Sequence, residues 1–169
     1  ETGGRMSSIQ VEVAGDYSAL LREIARLENV DTEGAMAAIG AGLRESTVRR
    51  FDTSTAPDGK KWKTSIRVKE KGGKTLLNRA NLRNSIHTEY DATGMAVGTN
   101  SIYAATHQFG DPHRVIRAKK KKCLKFQING QWVSPKKVVV NIPARPFLGI
   151  SEEDDQDIRS ILDSMMKGK

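Results

Sequence analysis

Apolar and polar residues alternate at the start of the chain, where Ile9, Val11 and Val13 are separated by Gln10 and Glu12. That period of two predicts a half-buried strand. Gly15-Asp16 ends it, and Asp16 suits an N-cap. Tyr17, Leu20, Leu21, Ile24 and Leu27 then fall on one helical stripe, predicting a first helix of about three turns. After the polar break Asn29-Val30-Asp31-Thr32, helical spacing resumes through Met36, Ile39, Gly40, Leu43, Thr47 and Phe51. The first half of this second helix is rich in alanine and glycine, including Gly34, Gly40 and Gly42. Each glycine costs about 1 kcal/mol relative to alanine, so close approach by the first helix or another subunit is expected to compensate.

Residues 52–74 lose periodicity and predict a long, flexible basic loop with a turn at Ala56-Pro57-Asp58-Gly59. Leu76, Leu77 and Leu82 predict a short helical segment before a hairpin, with strands from Ile86 to Tyr90 and Met95 to Thr99 around Asp91-Ala92-Thr93-Gly94. Ile102 to Phe109 reads as a short helix closed by Gly110. Phe126 and Ile128 alternate up to Asn129-Gly130, a strong hairpin signal, and Val138-Val139-Val140 continues the sheet. Asn141 to Ser151 contains two prolines and predicts a stiff strap. Ser151 and Asp154 match a capping box, after which Ile158, Ile161, Leu162 and Met165 give a last amphipathic helix.

These elements define an α+β fold: an antiparallel β-sheet packed against an N-terminal helical pair and a C-terminal helix, with a long basic loop. At 169 residues, positions 6–169 fit one domain. Residues 1–5 read as a tag or processing remnant before Met6. Cys123 is the only cysteine, no apolar run approaches a membrane span, and no secretory leader is read, so a soluble intracellular protein is expected.

The net charge of +8 changes the picture through its distribution. Arg44 to Arg83 holds twelve basic residues against four acids, and Arg114 to Lys125 holds seven and none, whereas Glu152, Glu153, Asp154, Asp155 and Asp157 crowd the start of the last helix. A basic and an acidic pole suit head-to-tail assembly. Lys60, Lys61, Lys63 and Lys119, Lys120, Lys121, Lys122 are candidate phosphate contacts, with Trp62 as a stacking group. His87, His107, His113, Cys123 and Asp111 lack the paired spacing of a zinc site, and no nucleophile elbow or phosphate-cradling glycine loop occurs. No enzyme, metal or cofactor is expected. In the strap, Phe147 and Leu148 are expected to point inward and Arg145 to face a carboxylate or phosphate on a partner.

Four stretches in order carry a resemblance over Ala19 to Met165: Ala56-Pro57-Asp58-Gly59 with Trp62, Leu76 through Ser85, Tyr103-Ala104-Ala105-Thr106-His107-Gln108-Phe109-Gly110, and Ile142-Pro143-Ala144-Arg145-Pro146-Phe147-Leu148-Gly149. Together they resemble the virion morphogenesis, or tail completion, proteins of Mu-like phages. Ala80 departs from that pattern, which usually has glycine there, and a more helical turn is expected. The resemblance implies a structural subunit of the virion, assembled in the bacterial host cytoplasm. It would act at the head-tail junction or tail end as a homo-oligomeric, six-fold ring, meeting neck or connector and tail tube proteins near phage DNA and away from membranes. Tyr103, His107, Phe109, Arg145 and Phe147 are the candidate protein-interface residues. A basic nucleic-acid-binding module is the alternative.

Overall fold

The computed structural model describes residues 9–12, Tyr17, Arg22, 31–119, 122–128 and 130–167. The first predicted helix lies outside these, apart from Tyr17 and Arg22. Strand β1 (Ile9–Glu12) is followed by α1 (Thr32–Thr53), α2 (Ile66–Lys71), α3 (Asn81–Asn84), β2 (His87–Asp91), β3 (Gly94–Thr99), α4 (Ala104–Phe109), β4 (Asp111–Arg117), β5 (Phe126–Ile128), β6 (Gln131–Val133), β7 (Lys137–Ile142) and α5 (Glu152–Lys167). The α+β class holds. No helix among the described residues is long and apolar enough to cross a membrane.

Helix α1 is the central beam. Asp31 caps it by accepting from the Gly34 amide at 2.8 Å, and it ends at Ser54, whose left-handed backbone returns its N–H to the Arg50 carbonyl. Met36, Ile39, Leu43, Thr47 and Phe51, the residues of the predicted stripe, are all buried. At Gly40 the described neighbours are strand residues: a Cβ there would lie 3.0 Å from Met95 Cε and 3.5 Å from Thr88 Cγ2. The glycine lets the helix settle on the sheet of β2 and β3. Among the described residues nothing lies within 4 Å of a Cβ built on Gly42.

The sheet is not continuous. A three-stranded sheet has the order β1-β3-β2, β4 pairs with β7, and β5 pairs with β6. In the first, central β3 pairs Val97 with Val11 on one side and Thr88 on the other, and buries Met95, Val97 and Thr99. The valine run of β7 does not extend the β5–β6 hairpin. It turns back to β4, pairing Val139 with Val115 and Lys137 with Arg117. The link is bridged by Ala118 N–H to Lys136 O at 3.1 Å and Leu124 N–H to Pro135 O at 2.8 Å. The β5–β6 pair thus belongs to an excursion from a two-stranded ribbon.

Residues 52–74 are also more structured than their composition predicts. Thr55 bridges Lys61, the Trp62 amide donates to Ser54 O at 2.8 Å, and Ser65 caps α2. Trp62 fastens the stretch: its ring meets Phe51 edge-on, centroids 5.6 Å apart, while Phe51 also packs on Phe147 at 5.3 Å. These three aromatics join Ile39, Leu43, Leu82, Ile86, Ile158 and Leu162 in one core. Ala80 has φ 58°, so the position where the resemblance expects glycine is left-handed, and only the following residues, Asn81–Asn84, are helical.

Candidate assembly site

Between β7 and α5 the strap pairs with no strand, and side chains from other elements take up its main-chain groups. Gln108 on α4 does most: its Oε1 accepts from the Phe147 and Leu148 amides, both at 3.0 Å, and its Nε2 donates to Leu148 O at 2.8 Å. Trp62 Nε1 donates to Pro146 O at 2.8 Å. The Arg145 amide donates to His107 O at 2.7 Å. Gly110, with φ 77°, makes room for the crossing, since a Cβ there would stand 2.8 Å from Ala144 N and 2.9 Å from Ile142 O.

Arg50 is the other clamp. It is 6% exposed and projects from α1, with Nη1 donating to Phe147 O at 2.9 Å and Gly149 O at 2.8 Å. Its Nη2 donates to Ser46 Oγ at 3.1 Å and to the Asp154 carboxylate. Asp154 also closes the capping box: it accepts from Ser151 N at 2.8 Å, while Ser151 Oγ accepts from Asp154 N at 3.2 Å. One buried pair therefore ties α1, the strap and α5 together. Burial lowers the Arg50 pKa against the opposing pull of Asp154. For Asp154, burial pushes upward, but hydrogen bonds from Ser151 and Ser46 and the charge of Arg50 hold it below the usual carboxylate range. Asp154 is not part of the solvated acidic face expected of that block. Asp155 is bound as well, by Arg159 and the Tyr17 hydroxyl.

The predicted interface residues divide. Phe147 is fully buried at 0% exposure and Leu148 lies in the core beside it, both inward. Arg145 is also only 6% exposed, and its Nε donates to Lys63 O at 2.8 Å. Burial lowers its pKa, and no acid among the described residues pairs with it. Phe109 is 71% exposed, and Tyr103 and Ile102 are exposed nearby. His107 has a buried Nδ1 without a hydrogen-bond partner among the described residues. Burial, then the charges of Arg145 and Arg114, lower its pKa. Tyr103, His107 and Arg145 line one cleft of about 350 Å³, together with Arg67 and Arg79.

The expected phosphate contacts are not equivalent either. Trp62 is 6% exposed with its indole N–H engaged, so it is a core residue and offers no stacking face. Lys60 pairs with Asp58 at 2.8 Å, and Lys61 donates to Thr53 O at 2.9 Å. Lys63 is exposed, as are Lys119 and Lys122 where the ribbon ends, and Lys120 and Lys121 lie outside the described residues. The ribbon itself exposes Val115, Ile116 and Val139, and the β5–β6 hairpin exposes Trp132, with Lys125 Nζ 5.3 Å from its ring centroid.

The α+β frame carries a clamped strap and an exposed apolar ribbon, and the chain belongs to the phage virion morphogenesis family, whose model matches residues 15–167. Among its relatives is the Mu-like prophage FluMu G protein 2 of Haemophilus influenzae, 29% identical over 153 residues covering 90% of this chain and 91% of the relative. Another is the putative capsid assembly protein G of Escherichia phage Mu, 26% identical over 162 residues covering 89% and 90%. No solved structure matches the chain at a significant level.

Sequence reasoning missed Arg50 and Gln108. A signal for Arg50 exists, since it follows Leu43 and Thr47 on the buried stripe of α1.

Proposed function

We propose that this chain is a non-enzymatic building block of the virion that completes the tail or joins it to the head, working as one subunit of a ring. The observation that carries the reading is the β4–β7 ribbon. A single copy leaves Val115, Ile116 and Val139 in water along a two-stranded edge, with exposed Trp132 beyond it, and an apolar ribbon of this kind is covered when neighbours pack on it. The family and a relative named for capsid assembly support the same class of role. In this reading the strap holds the frame, while Phe109, Tyr103 and the ribbon meet other subunits, the neck or the tail tube.

The test is genetic. Deleting the gene from an inducible phage or prophage should leave heads and tails unjoined or tails incomplete by electron microscopy, with infectivity restored by the wild-type chain. Normal tailed, infectious particles after deletion would overturn the proposal. DNA contact is a second reading, favoured by the exposed Lys119 and Lys122 beside the ribbon. It requires binding to duplex DNA at low salt that weakens steeply as salt rises.

A further inference from the structure

The cleft beneath the strap carries positive charge that no acid among the described residues answers. Arg67, Arg79, Arg145 and His107 line it with Ser65 and Asn81, and no acid among the described residues does. Arg67 is held by the carbonyls of Gly72 and Lys74 and Arg145 by that of Lys63, none of which carries a countercharge. Arg145 spends its Nε on that contact, and its two terminal nitrogens have no hydrogen bond among the described residues. Those nitrogens open on the cleft, and the fork they form matches a carboxylate bidentately. The cleft wall is also conformationally unusual: Leu76 and Ala80, which both line it, have φ of 61° and 58°. Left-handed backbone at residues with side chains gathers at sites where a fixed shape matters.

A complementary surplus stands on α5. Glu153 and Asp157 are exposed and one helical turn apart, so their carboxylates repel each other on one face. Glu153 has only an exposed pairing with Arg49 at 3.3 Å, and Asp157 forms no ion pair among the described residues. We infer that the Arg145 cleft of one copy receives the Glu153–Asp157 face of α5 from a second copy, making a head-to-tail contact between subunits. This rests on the ring proposed above and gives its interface a chemistry. A recess of about 350 Å³ with a buried arginine suits one or two inserted carboxylate side chains. Duplex phosphates, which run along an outer surface, would meet Arg79 at the rim and leave Arg145 unanswered.

The test uses the full chain. Arg79→Glu and Asp157→Lys should each weaken self-association about tenfold in sedimentation velocity, and the double variant should recover most of it. Thermal melts matched to wild type show that the fold is kept. In parallel, Asn78→Cys with Gln156→Cys in a Cys123→Ser background should give a ladder of disulfide-linked subunits when assembled particles are treated with the thiol oxidant diamide, whereas either cysteine alone should not. Absence of the ladder while the Cys123→Ser parent still yields infectious particles would overturn the inference and leave the assembly role standing. Unchanged association of both charge variants would overturn it too. Loss of duplex DNA binding by Arg79→Glu, with association unchanged, would assign the cleft to phosphate instead.

Discussion

The strap and the β4–β7 ribbon are both irregular additions to the sheet-and-helix frame, and they resolve their exposed backbone and apolar groups in opposite ways. In the strap, polar side chains turn inward to serve main-chain groups: Gln108, Trp62 and Arg50 each donate to its carbonyls, and Phe147 is buried among Phe51 and the core. In the ribbon the backbone is satisfied by its own ladder, and apolar side chains turn outward. A segment completed within the subunit serves stability, and in the proposed function one left incomplete is free to serve contact. The strap should therefore fail by unfolding and the ribbon by failing to assemble.

The largest effect is expected at Arg50. Arg50→Ala leaves Asp154 buried without its charge partner and strips a donor from Phe147 O and Gly149 O, a loss of about 3–5 kcal/mol in denaturant unfolding. A loss below about 1 kcal/mol would mean that solvent replaces the clamp and that the contrast with the ribbon fails. Gln108→Ala comes next. It leaves two amides and one carbonyl of the strap without partners, and at least about 2 kcal/mol should be lost. The isosteric Gln108→Glu, which keeps the acceptor and removes the donor, should lose less.

Why the two regions differ was only partly legible in the residues. The period of Met36, Ile39, Leu43, Thr47 and Phe51 foretold the buried face of α1, because a helix repeats its environment along the chain. The Ser151–Asp154 capping box and the β2–β3 and β5–β6 hairpins were local for the same reason. Arg50 looked like one more cation of a basic run and Asp154 one more acid of a solvated block. Their pairing spans 104 positions, and nothing local marks it. Trp62 looked like a loop aromatic among lysines, since its partners Phe51 and Pro146 O are supplied by the helix before it and the strap far after it. The break between β6 and β7 was hidden because strand partners are set by pairing across distance, and a run of valines suits either neighbour.

Two milder changes probe the rim of the strap. The pKa of His107 is lowered by burial and by Arg145 and Arg114, so the unfolded chain binds a proton more readily than the folded one. The fold is expected to be fully stable on this account above about pH 6.5 and to weaken as pH falls through that value. His107→Gln should flatten that decline in denaturation midpoints between about pH 7 and pH 5. The lowered pKa of Asp154 acts in the same direction further down, its stabilisation being lost as pH falls below about 3.9. Ala80→Gly should stabilise the protein by about 1 kcal/mol, because φ 58° costs alanine what glycine does not lose. A destabilised variant would mean that the Cβ of Ala80 contributes more to the cleft wall than its backbone strain costs.

The smallest effect on stability, and the sharpest test of the comparison, is expected in the ribbon. Val115 and Val139 face each other across the β4–β7 ladder, so Val115→Glu with Val139→Lys keeps an attractive cross-strand pair while removing the exposed apolar surface. Unfolding free energy should change by no more than about 0.5 kcal/mol, as for other exposed positions. Particle assembly should nevertheless drop sharply in a complementation assay, because the altered side chains are those a neighbour would cover. If the double variant instead unfolds like Arg50→Ala, the ribbon belongs to the stabilising frame and the distinction between the two regions is lost. If it folds and assembles normally, the neighbours dock elsewhere on the subunit, with the Phe109 and Tyr103 surface of α4 the next exposed apolar group to alter.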